Sequence, residues 1–463
     1  MNDLGQAESA VVFARIDIVK RRLATLVLVA SVSASCVGWG AAAFAQGQGA
    51  SSVGSPIPSG SGTLTPKPDT PPQRADELGI PIGSFRLFPT LDVRGGYDTN
   101  VFARPAGQQT GSGYEVVRPS LSLQSDWTSH MLNIDVFGLF GFYNSASSQN
   151  YQNFGISADS RIEIQRDWFV APTASFTRTT EALGSPDTAL ATAPTAVYTL
   201  PLGLSMYQRF NRLFYQATVS ATGFRYQNYG VTPFTTLPDQ NRNRNEFTES
   251  LRGGYEIYDG FDVWLQAGLN QRSYLQGVTN SGVNLAAFNQ QRDSTGWQAS
   301  AGATIDLGGI SKLEGFVGYT QQNYSGVSTP ALSFGLGGVW NGYQPLVVRP
   351  FVLRSVNETA FSQYQNYVST TVGSQFVYTI QEGWVLDAGV SLALLDYTPL
   401  PGTIGTTQHT DTFWRASLGL QYSIRPQISI GPLYEFSSGS GGDPVASPNY
   451  TRHIFMLRLI AKR

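Results

Sequence analysis

The sequence is poor in the residues on which most soluble chemistry depends. It holds one cysteine, Cys36, and three histidines, and only 13% of its 463 residues are charged, about half the usual share. One cysteine permits no disulfide framework and no thiolate metal site. If the first 45 residues are a cleaved leader, the mature chain also lacks a cysteine nucleophile. The formal net charge of −2 denies the basic face that a nucleic-acid partner would require. Beyond the first 45 residues no apolar run approaches the roughly 18 to 20 residues of a spanning helix. No HExxH, Walker or dinucleotide pattern falls on a suitable element, so no cofactor or metal is expected.

The N-terminal segment 1–45 reads as an export signal. A basic cluster, Lys20-Arg21-Arg22, precedes an apolar run from Leu23 to Val37, and small residues follow to Ala43-Phe44-Ala45. That order of charged, apolar and small-x-small stretches is what signal peptidase reads, and the expected cut follows Ala45. Cys36 as a lipidated cysteine is the alternative. Ser33, Ala34 and Ser35 before it lack the apolar residue of a lipobox. From Gln46 to Leu78 the chain is rich in Gly, Ser and Pro and nearly free of large apolar side chains. Such a stretch buries too little surface to order itself and is expected to be a periplasmic linker.

From Phe85 onward the pattern has period two. Phe154, Ile156, Ala158, Ser160, Ile162 and Ile164 share one face, with Asn153, Gly155, Ser157, Asp159, Arg161 and Glu163 on the other. Phe261 to Leu269, Trp384 to Leu394 and Trp414 to Tyr422 repeat the alternation. Successive strand side chains point to opposite faces, so each segment has an apolar and a polar side. Either the apolar side faces a dry core or it faces lipid. The strands are long, about 10 to 14 residues, against five or six in soluble sheets. Their polar sides carry Ser, Thr, Gly, Asn and Gln with isolated charges, as a hydrated lumen would.

The connections also alternate in length. Short ones are expected at Asp126-Trp127, Arg166-Asp167, Asn211-Arg212, Asp259-Gly260, Gly308-Gly309, Asn341-Gly342, Glu382-Gly383 and Arg425-Pro426. These are residues that tolerate positive φ or fix it, as tight hairpins require. Long ones run over 182–195, 227–245 and 276–290. Short periplasmic turns with longer outer loops belong to outer-membrane barrels. The fold expected for residues 79–463 is therefore an all-β, transmembrane, antiparallel up-and-down barrel of about 18 strands, with 16 as the alternative. It should lie in the cell outer membrane, among outer-membrane lipid and lipopolysaccharide, inserted by barrel-assembly machinery. Trp127, Trp168, Phe214, Phe261, Trp264, Trp340, Trp384 and Tyr422 beside the short turns are expected to form an aromatic girdle.

A barrel this wide encloses a water-filled passage unless something fills it, and closure spares it a hydrophobic core. By alternation the candidate pore-lining residues are Asp92, Arg94, Asp135, Asp159, Arg161, Glu163, Arg252, Asp262, Arg272, Asp387 and Arg415. Glu256, Glu314, Glu435, Arg452 and Arg458 fall on the same face. Both signs occur in similar numbers, which argues against strong ion selectivity. Arg161, flanked by Asp159 and Glu163, is the densest group.

The opening of the barrel, Gly79-Ile-Pro-Ile-Gly83-Ser-Phe85-Arg-Leu87-Phe-Pro89-Thr-Leu91-Asp-Val93-Arg-Gly-Gly96-Tyr97-Asp98-Thr-Asn100-Val101-Phe102, resembles the putative β-barrel porin 2 family of proteobacterial outer-membrane proteins. The resemblance implies a barrel associated with exopolysaccharide production and export, and so a channel that passes solutes or assists a polysaccharide export apparatus. The alternative is a non-conducting barrel that binds partners through its outer loops. Tyr97-Asp98-Thr99-Asn100 offers oxygens to a cation or sugar, but Asp and Asn more often bond their own backbone at a turn. An enzyme is not expected. His130 lies at a short turn and His453 on the last strand facing lipid. His409, with Asp411, is assigned to an outer loop without a recognisable nucleophile. That last strand ends on Lys462-Arg463 rather than on an aromatic residue.

Overall fold

A computed structural model describes residues 79–463 except 187, 189–192, 228–241, 276–291, 309–310, 344, 362, 401–406 and 444–447. The expected signal peptide and linker lie outside the described residues. In chain order the strands are β1 (Ile80–Ile82), β2 (Phe85–Asp98), β3 (Ser112–Ser125), β4 (Met131–Tyr143), β5 (Tyr151–Gln165), β6 (Trp168–Glu181), β7 (Thr195–Phe210), β8 (Leu213–Gln227), β9 (Arg244–Tyr258) and β10 (Phe261–Tyr274). They continue as β11 (Ser294–Asp306), β12 (Ser311–Tyr324), β13 (Val327–Tyr343), β14 (Leu346–Asn357), β15 (Tyr364–Gln381), β16 (Trp384–Pro399), β17 (His409–Arg425), β18 (Ile428–Ser440) and β19 (Asn449–Lys462).

Each strand from β2 to β19 pairs antiparallel with its neighbours in sequence, and β19 pairs back to β2 from Ile454 opposite Asp98 to Lys462 opposite Thr90. Eighteen strands thus close into a barrel. Closure is obligatory in hydrocarbon, which offers no partner to a free strand edge. The first turn of β2 extends past the reach of β19, and there the short strand β1 folds back onto it, Ile80 opposite Leu87 and Ile82 opposite Phe85. The barrel strands β2 to β19 run from 12 residues in β14 to 18 in β15. They are longer than the pattern suggested because they continue past the apolar band into the outer rim.

All eight short connections lie at one end, with Phe85 and Lys462. Asp167 and Asn211 take φ of 59° and 55°, and Gly260, Gly308 and Gly383 take 78°, 61° and 82°; Asx residues and glycine tolerate this region with little steric cost. One turn is displaced from its expected place. Asn341 and Gly342 belong to β13, which continues to Tyr343 through an irregular register, and the reversal falls before Leu346. Pro345, with its fixed φ, supplies the turn there. The other end carries the long connections, with one exception. β12 and β13 are joined by a tight hairpin from Tyr324 to Val327 with Gly326 at φ 82°.

The apolar face points outward. Leu265, Leu269, Leu251, Val317, Leu332, Leu418, Phe455 and Leu457 are all more than half exposed, Leu265 at 69%, while polar neighbours one residue away, such as Gln266 and Arg252, are buried. Of the expected girdle, Trp127, Trp168, Phe261, Trp340, Trp384 and Tyr422 stand by the short turns on the outer side, and Tyr258 joins them. Phe214 and Trp264 do not belong to it: both are buried and register onto the inner face. Sequence proximity to a turn put them in the girdle, but strand parity decides the side.

The outward face must therefore lie in hydrocarbon. Leu265→Arg is expected to destabilise the barrel by about 2–4 kcal/mol in urea unfolding from phospholipid vesicles, with Leu265→Ala far milder. Equal stability of the two variants would mean that this face is not in lipid.

Candidate functional site

The register places all eleven candidate lining residues on the inner face, and most of the charge there is paired. Asp92 accepts from Arg94 and from Arg458, each at 2.8 Å, and Arg94 lies 3.8 Å from Glu435. Four charges from β2, β18 and β19 thus form one cluster, with Arg94 only 2% exposed. Arg252 of β9 bridges to Glu314 of β12 at 3.0 Å, donates to Gln266 at 2.9 Å, and lies 3.7 Å over the Trp264 ring. Arg209 holds Glu256 and Asp262 at 2.8 and 2.9 Å. Arg161 pairs with Glu163 and lies 3.5 Å over Phe169. Asp387 accepts from Gln421 at 2.9 Å. Asp135 is flanked across the ladder by Ser122 and Ser157, Asp159 by Asn133 and Thr173, and Arg415 by Ser391 and Ser437. Buried charge in a low-dielectric wall persists only where a counter-charge and hydrogen bonds compensate its desolvation; Arg458–Asp92 does so between adjacent strands and Arg252–Glu314 across the wall from β9 to β12. Toward the short-turn end the inner charges, including Asp306 and Lys312, are more open to solvent.

The loop end is different: its interior is filled. An aromatic and aliphatic cluster of Val101, Tyr114, Val116, Tyr143, Ala146, Tyr151, Leu433, Ile454 and Met456 packs on one side. Phe361, Tyr364, Tyr367, Ala393, Leu395, Tyr397, Phe413 and Tyr450 pack on the other. The expectation that closure would spare the barrel a hydrophobic core is corrected here. The inner face is polar toward the short turns and largely aromatic toward the long loops.

The described residues of three connections fold inward to complete this filling. The first, 358–363 between β14 and β15, is anchored through Glu358. Arg272 donates to Glu358 Oε1 at 2.6 Å, Tyr324 to the same oxygen at 3.0 Å, and Tyr274 to Oε2 at 2.7 Å. Arg272 and Tyr274 stand two apart on β10, hence on one face. Arg292 donates to the carbonyls of Thr359, Phe361 and Tyr364, and Phe361 is fully buried. The second connection, 99–111, is tied by Asn100, whose side chain donates to the carbonyls of Arg104 and Thr451 at 2.8 and 3.0 Å. Asn100 N–H donates to Asp98 at 3.0 Å. Asp98 also receives the Arg452 guanidinium, which in turn donates to Tyr143. The Asp98 and Asn100 oxygens thus serve the turn and its anchor. The third connection, 182–194, brings Gly184 under Tyr450, whose hydroxyl donates to Gly184 O at 2.8 Å. A Cβ on Gly184 would fall 2.8 Å from that of Ala103, so the second and third connections touch. Between them remains a cavity of about 10 Å³, lined by Val101, Tyr143, Tyr151, Leu183 and Arg452 among others. That is space for about one water.

The model of the family described as "Putative beta-barrel porin 2" matches residues 72–463. The chain belongs to this family. It is a β-barrel protein of the outer membrane, a class in which short turns face the periplasm and longer loops the outside. No curated protein matches the chain. Similar solved structures include the siderophore receptor PirA of Pseudomonas aeruginosa (9% identity, 82% of this chain and 80% of that chain, TM-score 0.39). Others are OccK3 (OpdO) of the same organism (11%, 84% and 97%, 0.41) and its OpdL (12%, 81% and 99%, 0.39).

The three histidines of the porin-2 barrel occupy separate places. His130 accepts from the Glu163 N–H at 3.2 Å by a periplasmic turn, and His453 faces lipid with Tyr434 2.9 Å away. His409 opens β17 rather than lying in a loop. It stacks on Tyr397 at 4.8 Å and has Asp411 at 3.4 Å. Sequence reasoning found Arg272 but missed its partner Glu358, and with it Tyr274, Arg292, Tyr324 and Phe361. The signal was faint: a carboxylate just past a strand end, followed by the aromatic run of residues 361–367.

The Asp98–Arg452 pair is the most deeply enclosed contact of the mouth. Arg452→Met is expected to cost about 3–5 kcal/mol, because it strands a buried carboxylate. Adding Asp98→Asn should recover more than half of that loss in equilibrium unfolding, and no recovery would mean that the two groups are not coupled.

Proposed function

We propose that this barrel is a gated conduit of the outer membrane, open toward the periplasm and closed at its outer mouth by the inward-folded connection 358–363. The observation that carries this reading is the uneven filling of the interior. Partly exposed ion pairs line the periplasmic half, while connections folded inside a complete barrel fill the outer half. A purely structural barrel has no need of a mouth closed by inward-folded connections, one of them held by a buried carboxylate and an arginine. Glu358 gathers three donors from β10 and β12, and its removal would leave Arg272 without the carboxylate it bonds at 2.6 Å.

In planar bilayers the wild-type protein is expected to show rare unitary steps, and Glu358→Ala frequent ones. Loss of about 3 kcal/mol from the closed state shifts the closed-to-open ratio about a hundredfold or more. Absence of steps from both proteins would favour the non-conducting alternative, a barrel that binds partners through its outer loops.

For the cargo, the family resemblance supports a polymer over a small ion. Mixed-sign pairs on the wall offer no strong charge selectivity, and a mouth of tyrosines and hydroxyl groups suits a neutral or weakly charged saccharide. Deleting the gene should abolish surface polysaccharide while leaving its synthesis intact, read as polymer retained in the periplasm. Unchanged surface polymer would remove the export reading and leave the conduit for smaller solutes.

A further inference from the structure

Charge on the outer wall is distributed unlike charge inside. Inside, Arg94, Arg209, Arg252, Arg272 and Arg452 are paired with carboxylates, and the outward Arg354 lies 3.8 Å from Asp396. Two outward arginines differ. Arg178 on β6 and Arg225 on β8 are each opposite Tyr198 of β7, forming the row Arg178, Tyr198, Arg225 across three adjacent strands. No carboxylate among the described residues pairs with either.

Their side is fixed by parity. Arg178 follows Phe176, and Tyr198 precedes Leu200, Leu202 and Leu204, all on the exposed apolar face. Their height is fixed by the strand ends. Arg178 lies three residues before the end of β6, Tyr198 three after the start of β7, and Arg225 two before the end of β8. The row therefore stands at the top of the apolar band on the outer side, where lipid headgroups begin.

The side chains are held for use there. Arg178 Nε donates to Tyr198 OH at 3.2 Å, its Nη1 donates to Gln152 O, and its guanidinium lies 5.8 Å from the Tyr198 ring centroid. Arg225 Nη1 donates to the carbonyls of Phe224 and Arg244, and Nη2 to Asn245 at 3.0 Å. These bonds orient each guanidinium without neutralising it. Alternate strands are roughly 10 Å apart, so two fixed cations flank one tyrosine at the membrane surface.

We propose that Arg178, Tyr198 and Arg225 form a binding site for the phosphate groups of a phosphorylated glycolipid in the outer leaflet. Guanidinium groups recognise phosphate through paired N–H donors, and the apolar strip of Phe176, Leu200 and Leu202 below them takes the acyl chains of the same molecule. This single occupant satisfies both the charge and the apolar surface. A soluble anion would use only the charge.

The test is a titration of the full-length barrel in detergent with lipid A, with the same glycolipid after enzymatic removal of its phosphates, and with inorganic phosphate. Wild type should bind lipid A at least tenfold more tightly than the dephosphorylated form, with affinity falling as salt rises. Arg178→Gln/Arg225→Gln should lose that preference while its conductance stays unchanged. Arg178→Lys/Arg225→Lys keeps the charge and should lose only a few-fold. If the glutamine variant fails to fold, the lysine variant and the salt dependence of the wild type still decide. Equal binding of phosphorylated and dephosphorylated lipid, or inorganic phosphate binding as tightly as lipid A, would overturn the assignment.

Discussion

Every backbone N–H and C=O that enters hydrocarbon must leave with a partner, and the architecture follows from that requirement. A sheet can meet it only by pairing its last strand with its first, as β19 does with β2. Where the two ends differ in length, β1 covers the remainder of the β2 edge. Once the ring is closed, period-two alternation sorts side chains without further instruction: one parity meets lipid, the other an enclosed space. The circumference of eighteen strands makes that space too wide to be filled by strand side chains alone. Its filling then becomes a choice rather than a necessity.

That choice differs along the axis. Toward the periplasm the inner wall is polar, with both signs interleaved. A lone charge there would bear a desolvation penalty, and the pairs Asp92–Arg94, Arg252–Glu314 and Arg209–Glu256 remove it locally. The same rule explains why Glu358 is met by a guanidinium and two phenols rather than by one partner. It sits amid aromatic rings with little water, and each of its oxygens needs a donor of its own. Tyrosine suits this end because its ring fills volume while its hydroxyl satisfies a neighbour.

The barrel was legible in the sequence because lipid imposes a repeating rule. Seven of the eight periplasmic turns lie where Asx, Gly or Pro residues interrupt the alternation, and the inner-face assignment of residues such as Asp92, Arg161 and Asp387 follows from parity alone. The eighth, near Asn341, was misplaced because Asn-Gly is a strong local turn signal that lost to the longer ladder of β13. Phe214 and Trp264 were misassigned for the converse reason: nearness to a turn says nothing of side. The filled mouth was not legible. Alternation ends where strands end, and residues 358–363 carry no periodicity to say whether they fold inward or stand clear. The partnership of Arg272 with Glu358, 86 residues apart, depends on barrel geometry that a linear pattern does not contain.

The separation of these two layers of interaction is what lets the mouth act as a gate in the proposed function. The ladder between β14 and β15 is complete down to Asn357 opposite Tyr367. Residues 358–363 therefore lie beyond the last cross-strand pair and can leave the interior without breaking it. Their hold is made mainly of side-chain contacts, Glu358 to β10 and β12, Arg292 to three carbonyls and Phe361 in its aromatic nest, with one backbone bond from Leu400 N–H to Gln363 O at 2.9 Å. Such contacts can exchange for water one group at a time, whereas the closed ladder in lipid has no alternative partner to exchange with. A barrel built this way is rigid where hydrocarbon demands it and yields only at the end where water can replace what is lost.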